Sequence, residues 1–219
     1  MIYLKNFSHN QLKIQALVGI ITPIFTILYI LILGAFKPNY NQLTMTISYL
    51  GAGKSFLSSL IAFFFILTGI FLIYFGFGLY KILKLKNKIN LGIFIILFAF
   101  FDLIISGFFP TDLNINSLSF TGFIHNLGSF IGDLFLLIGL LIYWLKDYQV
   151  FESQLARLFS IVVLSIAIVS ILINFLFHFY IVTNFPFGFF QKIEFAGVFI
   201  FISYLGLELL KYKPKENRF

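Results

Sequence analysis

The chain has 219 residues, of which 60% are hydrophobic and only 11% charged, and its mean hydropathy is +1.02. A soluble domain carries about a quarter charged residues, so a soluble globule and a disordered chain are both excluded, and an integral membrane protein built from helices remains. The absence of Cys excludes disulfides, thiolate catalysis and Cys-ligated zinc or iron–sulfur centres, and the net charge of +7 must be read by position rather than as a nucleic-acid footprint.

Charged residues punctuate the sequence. Residues 1–13 read as a basic cytoplasmic N-terminus, with Lys5 and Lys13. Residues 14–36 carry no charge. At 1.5 Å per residue they make a helix of ~35 Å, enough to span a ~30 Å hydrocarbon core, and the run is too long for a cleaved signal peptide. Further apolar runs follow at about 55–80, 89–109, 120–145, 158–181 and 191–210, which predicts an all-α bundle of six transmembrane helices. Residues 211–219 form a basic tail.

Lys and Arg set the orientation. The N-terminus, the second–third and fourth–fifth connections and the tail hold twelve of the fifteen, whereas the opposite connections hold only Lys37, Lys54 and Lys192. Both termini are therefore expected in the cytoplasm, as an even helix count requires. Tyr80, Tyr143, Trp144, Tyr148 and Tyr212 fit an inner aromatic belt, and Tyr40, Tyr49 and Tyr180 an outer one. The outer connections are rich in Pro, Gly, Asn and Ser, with Pro38, Pro110 and Pro186 at their edges.

Few motifs carry chemistry. Gly53-Lys54-Ser55 resembles the end of a phosphate-binding loop but lacks the preceding Gly and strand, so it reads as a polar turn. Gly128 and Gly132 form a GxxxG on the fourth helix, a close-packing signal expected to act within the bundle. Asp102 and Asp133 are intramembrane carboxyls on neighbouring helices at similar depth. They read as a proton or cation site, or as protonated groups bonded to nearby polar atoms, with repulsion keeping at least one neutral. Near the outer face lie Ser48, Asp112, His125, His178 and Glu194. Asp112, His125 and His178 are candidate ligands for a divalent metal, and Asp112, His125 and Ser48 candidate catalytic groups; interfacial polar contacts are the alternative. The basic inner face suits anionic lipid headgroups or orientation alone.

Several segments taken together carry a resemblance. Ile47-Ser48-Tyr49-Leu50-Gly51 follows Pro38 and Tyr40; Gly107-Phe108-Phe109-Pro110-Thr111-Asp112 ends the third helix; His125 opens the fourth; Gly188-Phe189-Phe190-Gln191-Lys192-Ile193 enters the sixth. From about Val18 to Leu210 the chain resembles the bacterial and archaeal membrane family known as domain of unknown function 998. The resemblance implies a six-helix membrane protein without an assigned activity. Its family positions would be Ser48, Gly51, Pro110, Asp112, His125, Gly188 and Gln191, with Lys192 where the family usually has Arg.

The expected protein is thus a multi-pass component of a prokaryotic cytoplasmic membrane, contacting lipids and not nucleic acid. Its outward polar pocket would include Gln191, Glu194 and Gly51. Two activities suit the residues: a metal-assisted or His/Asp-based hydrolase acting on a lipid or lipid-linked group, and a proton- or cation-coupled carrier using Asp102 and Asp133.

Overall fold

The computed structural model describes residues 9–86, 88, 91–113, 119–151, 153–179 and 186–212, apart from the side chains of His9 and of residues 174–179. Among these residues the chain forms helices α1 (His9–Phe36), a single-turn α2 (Ser48–Gly51), α3 (Phe56–Leu85), α4 (Leu91–Phe108), α5 (Phe120–Leu145), α6 (Gln154–Phe179) and α7 (Phe187–Lys211). All but α2 are long and apolar enough to cross a membrane. Several helices outrun the charge-free stretches: α1 begins before Lys13, and α3 continues past Lys81 and Lys84. Long basic side chains permit this because they carry their charge away from the apolar zone.

Helices adjacent in sequence are adjacent in space. In chain order from α1 to α3, α4, α5, α6 and α7, each long helix packs on the next, and α7 returns to α1 to close a ring. Short connections between antiparallel helices favour that order. The outer surface is apolar, with Ile21 60% and Phe130 65% exposed, as lipid requires. Buried polar residues collect inside, among them Thr26, Thr68, Asp102, Ser106, His125 and Glu194.

The half nearer Lys86, here the lysine end, is filled by an apolar core. Phe75 and Leu79 of α3, Ile95 and Phe98 of α4, Leu140 of α5 and Phe199 and Ile202 of α7 are buried together. Tyr143 belongs to this core rather than to an aromatic belt. It is fully buried and meets Phe201 edge-on at 5.4 Å, because its position on α5 faces α7. Asp147 closes the same end: its carboxylate accepts a hydrogen bond of 3.1 Å from the Leu91 backbone N–H and so caps the start of α4.

The α4–α5 contact is close. A Cβ on Gly132 would stand 2.6 Å from the Asp102 Cβ, and one on Gly128 2.8 Å from the Phe101 carbonyl oxygen. The GxxxG therefore joins two helices of one bundle, as its sequence context suggested. Opposite it, residues Ala99–Ile104 of α4 adopt a π-helix, closed by the Ile105 N–H bonding to the Phe100 carbonyl five residues back. Such bulges widen one helical turn and recur at functional sites; this one carries Asp102.

Candidate functional site

At the opposite end the 37–55 connection folds back over the bundle as a lid. Lys37 organises it. Its ammonium donates to the carbonyls of Tyr49, Leu50 and Ala52 at 2.8, 2.6 and 2.9 Å and contacts the Ser58 hydroxyl at 3.1 Å. These carbonyls are the C-terminal end of α2, where a cation is favoured. Lys192 of α7 grips the other half of the lid through the carbonyls of Gln42 and Met45, at 2.9 and 3.0 Å, with its ammonium 5.1 Å from the Tyr40 ring centroid. Gln191 Oε1 accepts the Ile47 N–H at 2.6 Å, and the Phe189 N–H reaches the Leu43 carbonyl at 2.9 Å. Gly188 lets the lid approach: a Cβ there would stand 1.9 Å from the Met45 carbonyl oxygen. Tyr49 donates to the Leu113 carbonyl and ties the lid to the segment after α4.

Beneath the lid is a cavity of about 20 Å³, lined by Ile47 and Ser48 of the lid, Phe65 of α3, Asp102, Leu103 and Ser106 of α4, and Gln191 and Phe195 of α7. That volume admits roughly one water molecule. Asp102 is only 6% exposed, and its Oδ2 has no hydrogen-bond partner. The Ser48 hydroxyl makes no hydrogen bond among the described residues, and that of Ser106 lies 3.2 Å from the Ser129 hydroxyl. Asp133 of α5 lies within electrostatic reach of both Asp102 and Glu194, and Glu194 of α7, itself buried, within reach of Asp102. Three carboxyls from three helices thus sense one another electrostatically within the membrane-spanning region, without converging on one ion-binding point.

His125 and Asp112 stand beside this cavity without lining it. His125 shares the buried face of α5 with Gly128 and Gly132, as their i, i+3 and i+7 spacing predicts. Its Nδ1–H donates to the Phe109 carbonyl at 2.9 Å, while Nε2 is buried without a partner. Asp112 is spent on helix capping. Its carboxylate accepts from the Ser119 N–H at 2.8 Å and from the Ser119 hydroxyl at 2.6 Å, and Ser119 in turn caps α5 by accepting from the Gly122 N–H. Those two bonds hold the half-buried Asp112 carboxyl below the usual carboxylate range. Asp112 and His125 feel each other electrostatically, yet the bonds of Asp112 run to Ser119.

Of the residues singled out in the sequence, Ser48 and Gln191 therefore meet at one cavity, and Asp112 and His125 lie together at its side. Gly51 is buried at the end of α2, and a Cβ there would meet nothing within 4 Å. The His178 side chain lies outside the described residues, and among those described no three His, Asp or Glu groups come together as a metal site. The sequence treated Asp102 and the lid residues as separate features, whereas the structure places Asp102 and Ser106 in the wall that Ser48 and Gln191 complete. Their i, i+4 spacing was the available signal. The lid clamps Lys37 and Lys192 left no such signal.

A family model described as "Protein of unknown function (DUF998)" matches residues 20–208, and the chain belongs to that family. No curated protein and no solved structure matches it.

Proposed function

We propose that this member of the DUF998 family is an ion-coupled membrane carrier, with Asp102 as the carboxyl that takes up the coupling ion and Asp133 and Glu194 beside it. One observation carries the reading: Asp102, buried on the π-helical turn of α4, lines a cavity inside a bundle of membrane-spanning helices, with Asp133 of α5 and Glu194 of α7 within electrostatic reach. Carboxyls are expensive there and mark ion and proton pathways. The π-helical turn under Asp102 and its unpartnered oxygen support the same assignment. The cavity opens beneath the lid, so the ion would exchange at the lid end.

The lysine-rich end, by its charge, belongs to the cytoplasm, with both termini there and the lid facing outward across the cytoplasmic membrane of a prokaryote. The hydrolase reading has less support. The cavity of about 20 Å³ holds no acyl chain, and Asp112 is occupied as a cap.

The test uses the purified protein in sealed vesicles carrying an imposed proton or sodium gradient. Wild-type protein is expected to relax one of these gradients faster than protein-free vesicles, and Asp102→Asn to leave it standing. Equal relaxation by a folded Asp102→Asn variant would remove Asp102 from the reading.

A further inference from the structure

We propose that the cavity beneath the lid is a sodium site, the ion held by the Asp102 carboxylate with Ser48, Ser106 and Gln191 as neutral oxygen donors. The inference rests on the carrier reading and names its coupling ion.

Four observations lead to it. The lining offers oxygen-bearing side chains, one carboxylate, two hydroxyls and a carboxamide, and no nitrogen base or sulfur; hard cations choose such donors. The Asp102 carboxylate presents a buried oxygen, Oδ2, without any hydrogen-bond partner, although the residue is 6% exposed. An ion there would satisfy that oxygen, the Ser129 side chain already bonding the carboxyl elsewhere. The Ser48 hydroxyl makes no hydrogen bond among the described residues, and the Ser106 hydroxyl meets only Ser129, at 3.2 Å, leaving oxygen lone pairs for a ligand. The space of about 20 Å³ fits one water-sized guest, so it admits a dehydrated monovalent cation and leaves no room for the waters that magnesium keeps.

Charge selects between monovalent and divalent ions. One carboxylate lines the cavity, and one positive charge neutralises it. Asp133 and Glu194 lie within electrostatic reach but outside the lining, so neither ligates the ion directly. The lid supplies the closing wall. Gln191 reaches the cavity while its Oε1 fixes the Ile47 N–H at 2.6 Å, and Lys37 holds the far end of α2. Ser48, the first residue of α2, is thereby held over Asp102 from the opposite side.

The experiment is carbodiimide labelling of wild-type protein in detergent, with the modified residue located by peptide mass spectrometry. A hydrophobic carbodiimide adds the O–H of a protonated carboxyl across its C=N bond; an occupied carboxylate carries no such proton. In choline chloride, Asp102 is expected to be modified. Replacing choline by sodium should slow modification of Asp102 at least tenfold, and replacing it by potassium should not. Sodium should also raise the melting temperature of the wild type and leave that of Ser106→Ala unchanged.

If Asp102 is modified equally fast in sodium and choline, the sodium site is overturned while a proton-coupled carrier stands. If Asp102 is modified in neither salt and sodium leaves the melting temperature unmoved, both the site and the carrier reading fall.

Discussion

Asp147 and Asp112 sit at opposite ends of the bundle and are pushed in opposite directions. Burial raises the Asp147 carboxyl from its ordinary 3.8 to about 6, against the opposing effects of the Leu91 N–H bond and of Lys88 and Lys146. A raised acid holds its proton more tightly when folded, so this group makes the protein less stable as pH rises from about 4 to about 6. Asp147→Asn keeps an acceptor for Leu91 and removes the titration. Its melting temperature should vary less across that window than the wild type's, and an unchanged pH profile would contradict the assignment. Asp112 behaves in the reverse sense. Its carboxyl is lowered by Ser119, so the cap it builds is intact above the usual carboxylate range and lost only as pH falls through the lowered value. Ser119→Ala removes the helix cap and the hydroxyl's bond to Asp112 while keeping the backbone N–H bond, with an expected loss of about 0.5–2 kcal/mol in an unfolding measurement. A variant as stable as the wild type would show that the Ser119 hydroxyl holds neither the cap nor Asp112.

Among the elements, the lid and the α4–α5 pair carry the site. The lid is short, and a single turn such as α2 has too few internal bonds to persist alone. Its order comes from Lys37, Gln191 and Lys192, all reaching from other segments. Lys37→Met should therefore leave the six long helices intact by circular dichroism and increase backbone hydrogen exchange at Tyr49–Ala52. Unchanged exchange would mean that the ammonium is dispensable. Gly132 makes the complementary demand. Its Cβ position lies 2.6 Å from Asp102 Cβ and 2.8 Å from Asp102 N, so Gly132→Val must push α4 away from α5. Overpacking of this kind costs roughly 1–3 kcal/mol, and here it also displaces Asp102. Gly132→Val should lower the melting temperature and weaken any ion effect on it; a variant matching the wild type in both would contradict the close approach.

For the whole molecule, the six spans were legible because charged residues are scarce and most lie in or near the connections, as Lys37 and Lys146 do. The family positions were legible as motifs, and Asp102 as an anomaly in an apolar run. Their convergence was not, because it depends on contacts far apart in sequence. Ile47 and Gln191 are 144 residues apart, and the Asp102 turn is a π-helix whose register no simple 3.6-residue pattern gives. Orientation rests on Lys and Arg counts, and the cysteine-free chain makes it easy to check. Single cysteines at the exposed Lys54 and Lys86 positions mark the two ends. Lys54→Cys should react with an impermeant maleimide on intact cells and Lys86→Cys only after lysis; the reverse pattern would invert the molecule.

The central claim is that an ion enters the membrane interior and binds at Asp102, which requires charge to move within the bilayer. Vesicles adsorbed on a solid-supported membrane report such movement as a transient current after a rapid change of sodium or proton concentration. The account predicts a saturable transient for wild-type protein that is lost in Asp102→Asn. No transient in the wild type, or one of equal size in a folded Asp102→Asn variant, would contradict it.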